Sequence, residues 1–137
     1  MNLDASIGKL RVLVVDDNLL NRKLACAILK NHELEYDIAE NGKIAFDFFM
    51  SRKFDLVLMD IQMPIMNGIE CTIKIREFER ESNVSSPIPI IAVTAFAMES
   101  DRRNCFNAGM NDFIAKPYRA ENLVEIMSGF IRIKSIA

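Results

Sequence analysis

The sequence is poor in several side chains from which enzyme and metal sites are commonly built. Its 137 residues contain one histidine, His32, and three cysteines, Cys26, Cys71 and Cys105. His32 has no serine or carboxylate companion in the pattern and reads as a surface residue near the end of the first helix, which excludes a Ser-His-Asp hydrolase. Three cysteines, odd in number, widely spaced and set in apolar helical patterns, read as free buried thiols in a reducing compartment. No GxxxxGK[ST] loop is present, so the usual cradle for a nucleoside triphosphate is missing. No apolar run approaches the ~20 residues of a membrane helix, and the N-terminus lacks the basic-then-apolar layout of a signal peptide. The cytoplasm is the expected compartment, with no membrane contact. Seventeen basic against nineteen acidic side chains leave a formal charge of −2 and a pI near 5.5, which argues against a direct nucleic-acid-binding surface. There is no internal repeat, low-complexity tract or interdomain linker. The expected organisation is a leader over 1–9, one domain over 10–134 and a tail over 135–137, either a complete protein or a module of a longer one.

What the sequence does have is alternation, within a composition that is half apolar. Residues 10–15 (LRVLVV) form a β-branched run that reads as a buried strand ending in Asp16 and Asp17. Asn18 is a candidate N-cap, and Leu20, Leu24, Ala27 and Ile28 predict the inward stripe of a first helix. Further strands are predicted over 34–39, 55–59, 90–93 and 112–115. The second helix turns Ile44, Ala45, Phe48 and Phe49 inward; the third, after Gly68, buries Cys71, Ile75 and Phe78. Its mixed charges over 76–81 read as a solvated helix end. A fourth helix over 97–108 stops at Gly109, and a last one carries Leu123, Ile126, Met127, Phe130 and Ile131. Strands apolar on both faces and alternating with helices call for an α/β doubly wound five-stranded parallel sheet.

In such a sheet the functional crevice lies beyond the carboxyl ends of the strands. The residues that end the strands are Asp16 and Asp17 on the first, Asp60 on the third, Thr94 on the fourth and Lys116 on the fifth. Three carboxylates brought to one rim repel one another unless a cation joins them. Oxygen-only ligands suit a hard ion, with Mg²⁺ the best fit. Three carboxylates, a divalent ion and Lys116 give a near-neutral site. A carboxylate beside such a set is equipped to attack a phosphoryl group and become an acyl phosphate.

These residues lie in segments that resemble the receiver domain of two-component response regulators. The matching segments are VLVVDDN (12–18), LVLMDIQMPIMNG (56–68), IIAVTAFA (90–97) and NAGMNDFIAKP (107–117), and their wording is most like receivers of hybrid histidine kinases and phosphorelay proteins. The resemblance implies a flavodoxin-like (βα)5 fold with strand order 2-1-3-4-5. It implies that Asp60 is the phosphoacceptor and that Mg²⁺ is bound by Asp17, Asp60 and the main-chain carbonyl of Gln62, with Asp16 acting through a water. Thr94 and Lys116 would hold the phosphoryl group, and the Lys116–Pro117 peptide would be cis. Thr94 and Phe113 would form the switch, the ring filling space that the threonine vacates, with small Ala95 leaving room. Gln62 and Phe96 would tune hydrolysis; apolar Phe96 cannot orient a water, so the acyl phosphate should outlive those of the fastest chemotaxis-type relatives.

The implied donor is a histidine kinase or histidine phosphotransfer domain, docking over the first helix and the loop after Lys116, with Leu19, Arg22 and Pro117 as candidate contacts. The implied output surface, for a second copy or a downstream partner, comprises the fourth helix, fifth strand and fifth helix with Met98, Met110, Phe113, Tyr118 and Val124. Two other functions share the fold. A Mg²⁺-dependent phosphohydrolase with an aspartyl-phosphate intermediate would want an acid where Gln62 stands. An FMN binder would have its phosphate repelled by three acids.

Overall fold

Each βα repeat lays a strand through the core and returns along a helix. The computed structural model describes residues 9–95 and 98–133. Its elements are β1 (Arg11–Val15), α1 (Leu19–Asn31), β2 (Glu35–Ala39), α2 (Gly42–Ser51), β3 (Leu56–Asp60), α3 (Gly68–Glu81), β4 (Ile90–Thr94), α4 (Glu99–Ala108), β5 (Asp112–Ala115) and α5 (Ala120–Ser128). The strands form one sheet in the order β2-β1-β3-β4-β5, every neighbouring pair parallel. This is the expected doubly wound order.

Side chains alternate across the sheet, so each central strand feeds two cores. Val12, Val14, Leu56, Leu58, Ile91, Val93 and Ile114 point to the side covered by α1 and α5, where Leu29, Leu123 and Met127 meet them. Leu13, Val15, Val57, Met59, Ile90 and Ala92 point to the other side, against Ala45 of α2, Cys71 and Ile75 of α3 and Cys105 of α4. All three cysteines are free and buried. Asparagine side chains start three helices: Asn18, Asn41 and Asn67 accept from the backbone N–H groups of Asn21, Ile44 and Glu70. Gly109 ends α4 at φ 112°, a left-handed conformation that a side chain would strain.

Four sequence expectations are corrected by the packing. The buried stripe of α1 is Ala25, Cys26, Ile28 and Leu29, whereas Leu20 and Leu24 are 75% and 47% exposed and Ala27 also faces outward. Each i, i+4 step turns about 40° past a full helical turn, so Leu20 lies about 80° round from Ile28. The charged end of α3 is not all solvated. Glu79 is buried, pairs with Arg76 at 2.6 Å and accepts the Ile88 N–H at 2.7 Å. Met110 is a core residue, because the chain turns inward after Gly109 to enter β5. Phe130 follows the end of α5 and is exposed. Strand and helix bounds otherwise fall within one or two residues of expectation; the predicted first residue of the fourth helix, position 97, lies outside the described residues.

Candidate functional site

Parallel register brings the strand ends together. Val15 lies opposite Met59, Asp60 opposite Val93 and Thr94 opposite Ala115. The next residues along the chain, Asp16 after β1 and Lys116 after β5, therefore reach the same edge as Asp60 and Thr94. Asp16, Asp60 and Thr94 are buried, and Asp17 is exposed. Each of Asp16, Asp17 and Asp60 offers a carboxylate oxygen within 4.8 Å of the other two. The Lys116 ammonium sits 2.8 Å from Asp16 Oδ2 and 3.6 Å from Asp60 Oδ1, so its shorter bond is to the first-strand acid. The Lys116–Pro117 peptide is cis, as expected.

The local backbone fixes these carboxylates. The Asn18 N–H donates to Asp16 Oδ1 at 2.9 Å, and the Arg22 guanidinium donates to the Asp16 carbonyl at 2.9 Å. The Ile61 N–H donates to Asp60 Oδ1 at 2.9 Å. After Asp60 the chain passes through a tight turn in which the Met66 N–H reaches the Pro64 carbonyl at 2.7 Å, with Ile65 at φ 71°. It is pinned from two sides, by Gly42 N–H to Met66 O and by Gly68 N–H to Ile61 O. Gly68 packs so closely that a Cβ there would lie 2.1 Å from the Asp60 carbonyl oxygen. Only glycine fits beneath the acid.

Burial pushes the Asp60 carboxyl up to about 6 from 3.8, and the Asp16 charge adds to the rise; the Lys116 ammonium and the Ile61 N–H pull against it. Tyr118, behind the rim, is pushed up to about 12 by burial and then by the Asp16 charge. In both groups burial leads and the Asp16 charge adds to it. Three carboxylates facing one ammonium can take up a divalent cation, and a pure oxygen donor set suits a hard one.

The remaining expected residues are spread around this centre. Gln62 is exposed and, with Ile61, Ile69, Thr94, Asp101, Asn104 and Cys105, lines a cavity of about 70 Å³ between the end of β4 and α4. Phe113 lies opposite Ala92 in the β4–β5 register and is half-buried. Phe96 lies outside the described residues. Leu19 and Arg22 line a groove of about 350 Å³ along α1 and β2, with Lys23, Cys26, Ala27, Lys30, Tyr36 and Ile38. Sequence reasoning missed the bond from Arg22 to the Asp16 carbonyl and the guanidinium of Arg102, 5.6 Å from the centre of the Phe113 ring. Neither contact has a spacing signature, since each depends on how a long side chain folds back.

Among the described residues, no helix is long and apolar enough to cross a membrane. Hybrid signal transduction histidine kinase I of Dictyostelium discoideum is 42% identical over 123 residues, 86% of this chain but 7% of that protein. The chain spans between 5% and 10% of the length of four such D. discoideum kinases. Among solved structures, the chain resembles the co-crystal structure of the Saccharomyces cerevisiae histidine phosphotransfer protein Ypd1 with the receiver domain of the response regulator Ssk1. The TM-score there is 0.85 at 30% identity, covering 89% of this chain and 88% of the other. The receiver domain of a Pseudomonas aeruginosa sensor histidine kinase, with a magnesium ion coordinated in its active-site cleft, matches at TM-score 0.80 and 32% identity over 90% and 98% of the two chains. The response regulator receiver domain family matches residues 12–128. With that match running from β1 to the last residue of α5, the chain belongs to the response regulator receiver domain family.

Proposed function

We propose that this domain, over 10–134, is a phosphoacceptor that takes a phosphoryl group from a phosphohistidine onto Asp60 and passes the event on as a change of conformation. The observation that carries the reading is the placement of Asp60: a buried carboxylate at the sheet edge, within 4.8 Å of two further acids and 3.6 Å from an ammonium. A carboxylate oxygen of Asp60 forms the new O–P bond as the P–N bond to the donor imidazole breaks, its electron pair returning to the ring nitrogen, which takes a proton. Near neutral pH Asp60 is ionised and able to attack, since its carboxyl titrates at about 6.

Asp17, Asp60 and the Gln62 carbonyl would hold Mg²⁺, with Asp16 acting through a water; the ion would neutralise charge on the phosphoryl oxygens. The cluster of oxygen donors fits that ion. Lys116 would pair with a phosphoryl oxygen, moving from Asp16 as the new charge forms. The Thr94 hydroxyl would turn toward another oxygen and Phe113 toward the space behind it, with Gln62 and Phe96 setting how fast water enters. This module catalyses only its own phosphorylation and dephosphorylation and is not an enzyme of turnover. A phosphohydrolase would need a leaving-group acid at Gln62, which carries none.

The donor would be a histidine kinase or histidine phosphotransfer domain in the cytoplasm. A helical partner would dock along α1, in the groove lined by Leu19, Arg22, Lys23, Lys30 and Ile38. The output surface would comprise Met98, Phe113, Tyr118 and Val124, without the buried Met110.

Incubation with acetyl phosphate and Mg²⁺ followed by mass spectrometry tests the reading. One hydroxylamine-labile phosphoryl group on Asp60, absent from Asp60→Asn and from chain kept in chelator, is expected. Labelling elsewhere, or sustained release of phosphate from phosphomonoesters, overturns it.

A further inference from the structure

α4 is held to the sheet by few groups. Cys105 is its one fully buried side chain, and its N-cap, Met98, makes no side-chain capping bond. Its C-terminal end is fixed differently. Arg76 Nε donates to the Gly109 carbonyl at 2.9 Å, while the same guanidinium bonds Asn111 Oδ1 at 2.9 Å and Glu79 at 2.6 Å. One further contact crosses from the exposed side of α4 to the sheet: the Arg102 guanidinium over the half-buried Phe113 ring, 5.6 Å from its centre. On the same side of the sheet lies the cavity of about 70 Å³ bounded by Thr94 and by Asp101, Asn104 and Cys105 of α4. Phe113 is not among the residues lining that cavity. The ring packs instead against the core on this side of the sheet, which includes Cys105, and lies under a cation.

We propose that Arg102 is a positioning residue that stacks on Phe113 and holds the ring in its resting place outside the Thr94 cavity. The inference rests on the phosphoacceptor reading above, in which Phe113 and Thr94 move together. A phenylalanine has no hydroxyl to hold its outer position to solvent, so apolar burial alone would draw it inward. A guanidinium over the ring face supplies an outward hold that a hydroxyl would otherwise give. At an exposed site such a stack is worth about a two- to five-fold change in population. Because the contact belongs to the resting arrangement, losing it shifts the chain toward the arrangement that accepts phosphate.

The test is a double-mutant cycle on the full chain. Arg102→Ala is expected to raise the rate of Asp60 phosphorylation by acetyl phosphate, and the affinity for beryllofluoride with Mg²⁺, by about two- to five-fold. Arg102→Lys keeps the charge without the planar face and should fall between the two. In a Phe113→Leu background the same arginine change should have no effect. A metal-free readout is the NMR spectrum of the aromatic rings: Arg102→Ala should move the Phe113 ring signals and leave those of the Phe46, Phe49 and Phe78 cluster in place. Equal acceleration in the Phe113→Leu background, or unchanged Phe113 signals with an unchanged rate, overturns the inference. A wild-type chain that never labels at Asp60 overturns the phosphoacceptor reading and this inference with it. Normal labelling with no response to Arg102→Ala overturns the inference alone.

Discussion

Asp60 carries a charge that the metal-free fold does not welcome, and removing that charge should stabilise the chain. Its carboxyl titrates at about 6 in the fold against 3.8 for an ordinary aspartate, chiefly through burial and then through the Asp16 charge. The folded state therefore holds the proton more tightly than the unfolded chain. Stability then falls as pH rises from about 4 to about 6, and the full penalty is present above the folded value. The gap between 3.8 and about 6 corresponds to roughly 3 kcal/mol. Asp60→Asn keeps the size and the oxygen that accepts the Ile61 N–H, and Lys116 keeps its 2.8 Å bond to Asp16. In chelator at pH 7.5 the variant should be more stable by roughly 2–3 kcal/mol, raising Tm by roughly 6–10 °C. The difference should shrink steadily below pH 6 and vanish near pH 4. Saturating Mg²⁺ should also narrow it, because the wild-type chain gains binding energy while the variant has one fewer charged ligand. Thermal melts by circular dichroism at several pH values, with and without Mg²⁺, measure all of this. An Asp60→Asn chain no more stable than wild type at pH 7.5, or a gap independent of pH, would refute the account of the buried Asp60 charge as a cost to the fold.

Three further outcomes follow from the packing. Glu79→Ala leaves the Arg76 guanidinium and the Ile88 N–H without their buried acceptor and should cost about 3–5 kcal/mol in urea unfolding. Ile65 holds φ at 71° while 79% exposed, so Ile65→Gly should remove backbone strain in excess of glycine's added entropy and gain about 0.5–1 kcal/mol; a loss in the same melt would show that its side chain packs after all. Gly68→Ala drives a Cβ to within 2.1 Å of the Asp60 carbonyl oxygen. It should destabilise by about 1–3 kcal/mol and weaken Mg²⁺-dependent labelling by acetyl phosphate.

The strands were legible because their residues serve two cores at once. Val12 to Val15, Leu56 to Met59 and Ile90 to Val93 are apolar at every position, since each side chain meets helices on one face or the other. β2 reads less clearly: among the described residues it is an edge strand beside β1, and Glu35 and Ile38 face outward. Helix faces were harder. In α1 the apolar residues run further round the helix than the stripe the sheet covers, and exposed Leu20 and Leu24 are part of that excess. Glu79 and Met110 were misjudged for one reason. Burial at those positions is decided by long-range partners, namely Arg76 and the Ile88 N–H for Glu79 and the inward turn after Gly109 for Met110. Local charge or local helicity does not encode such partners.

The candidate site was legible to a different depth. A polar residue at the carboxyl end of a buried strand has one place to go, so the meeting of Asp16, Asp60, Thr94 and Lys116 at one edge follows from topology alone. How the charges pair there does not. Lys116 lies nearer Asp16 than Asp60, so the ammonium neutralises the first-strand acid and leaves Asp60 only partly compensated. The residual cost is visible in the raised Asp60 titration. Burial sets most of that cost and the Asp16 charge adds to it, so it falls on a side chain whose charge a bound divalent cation would relieve.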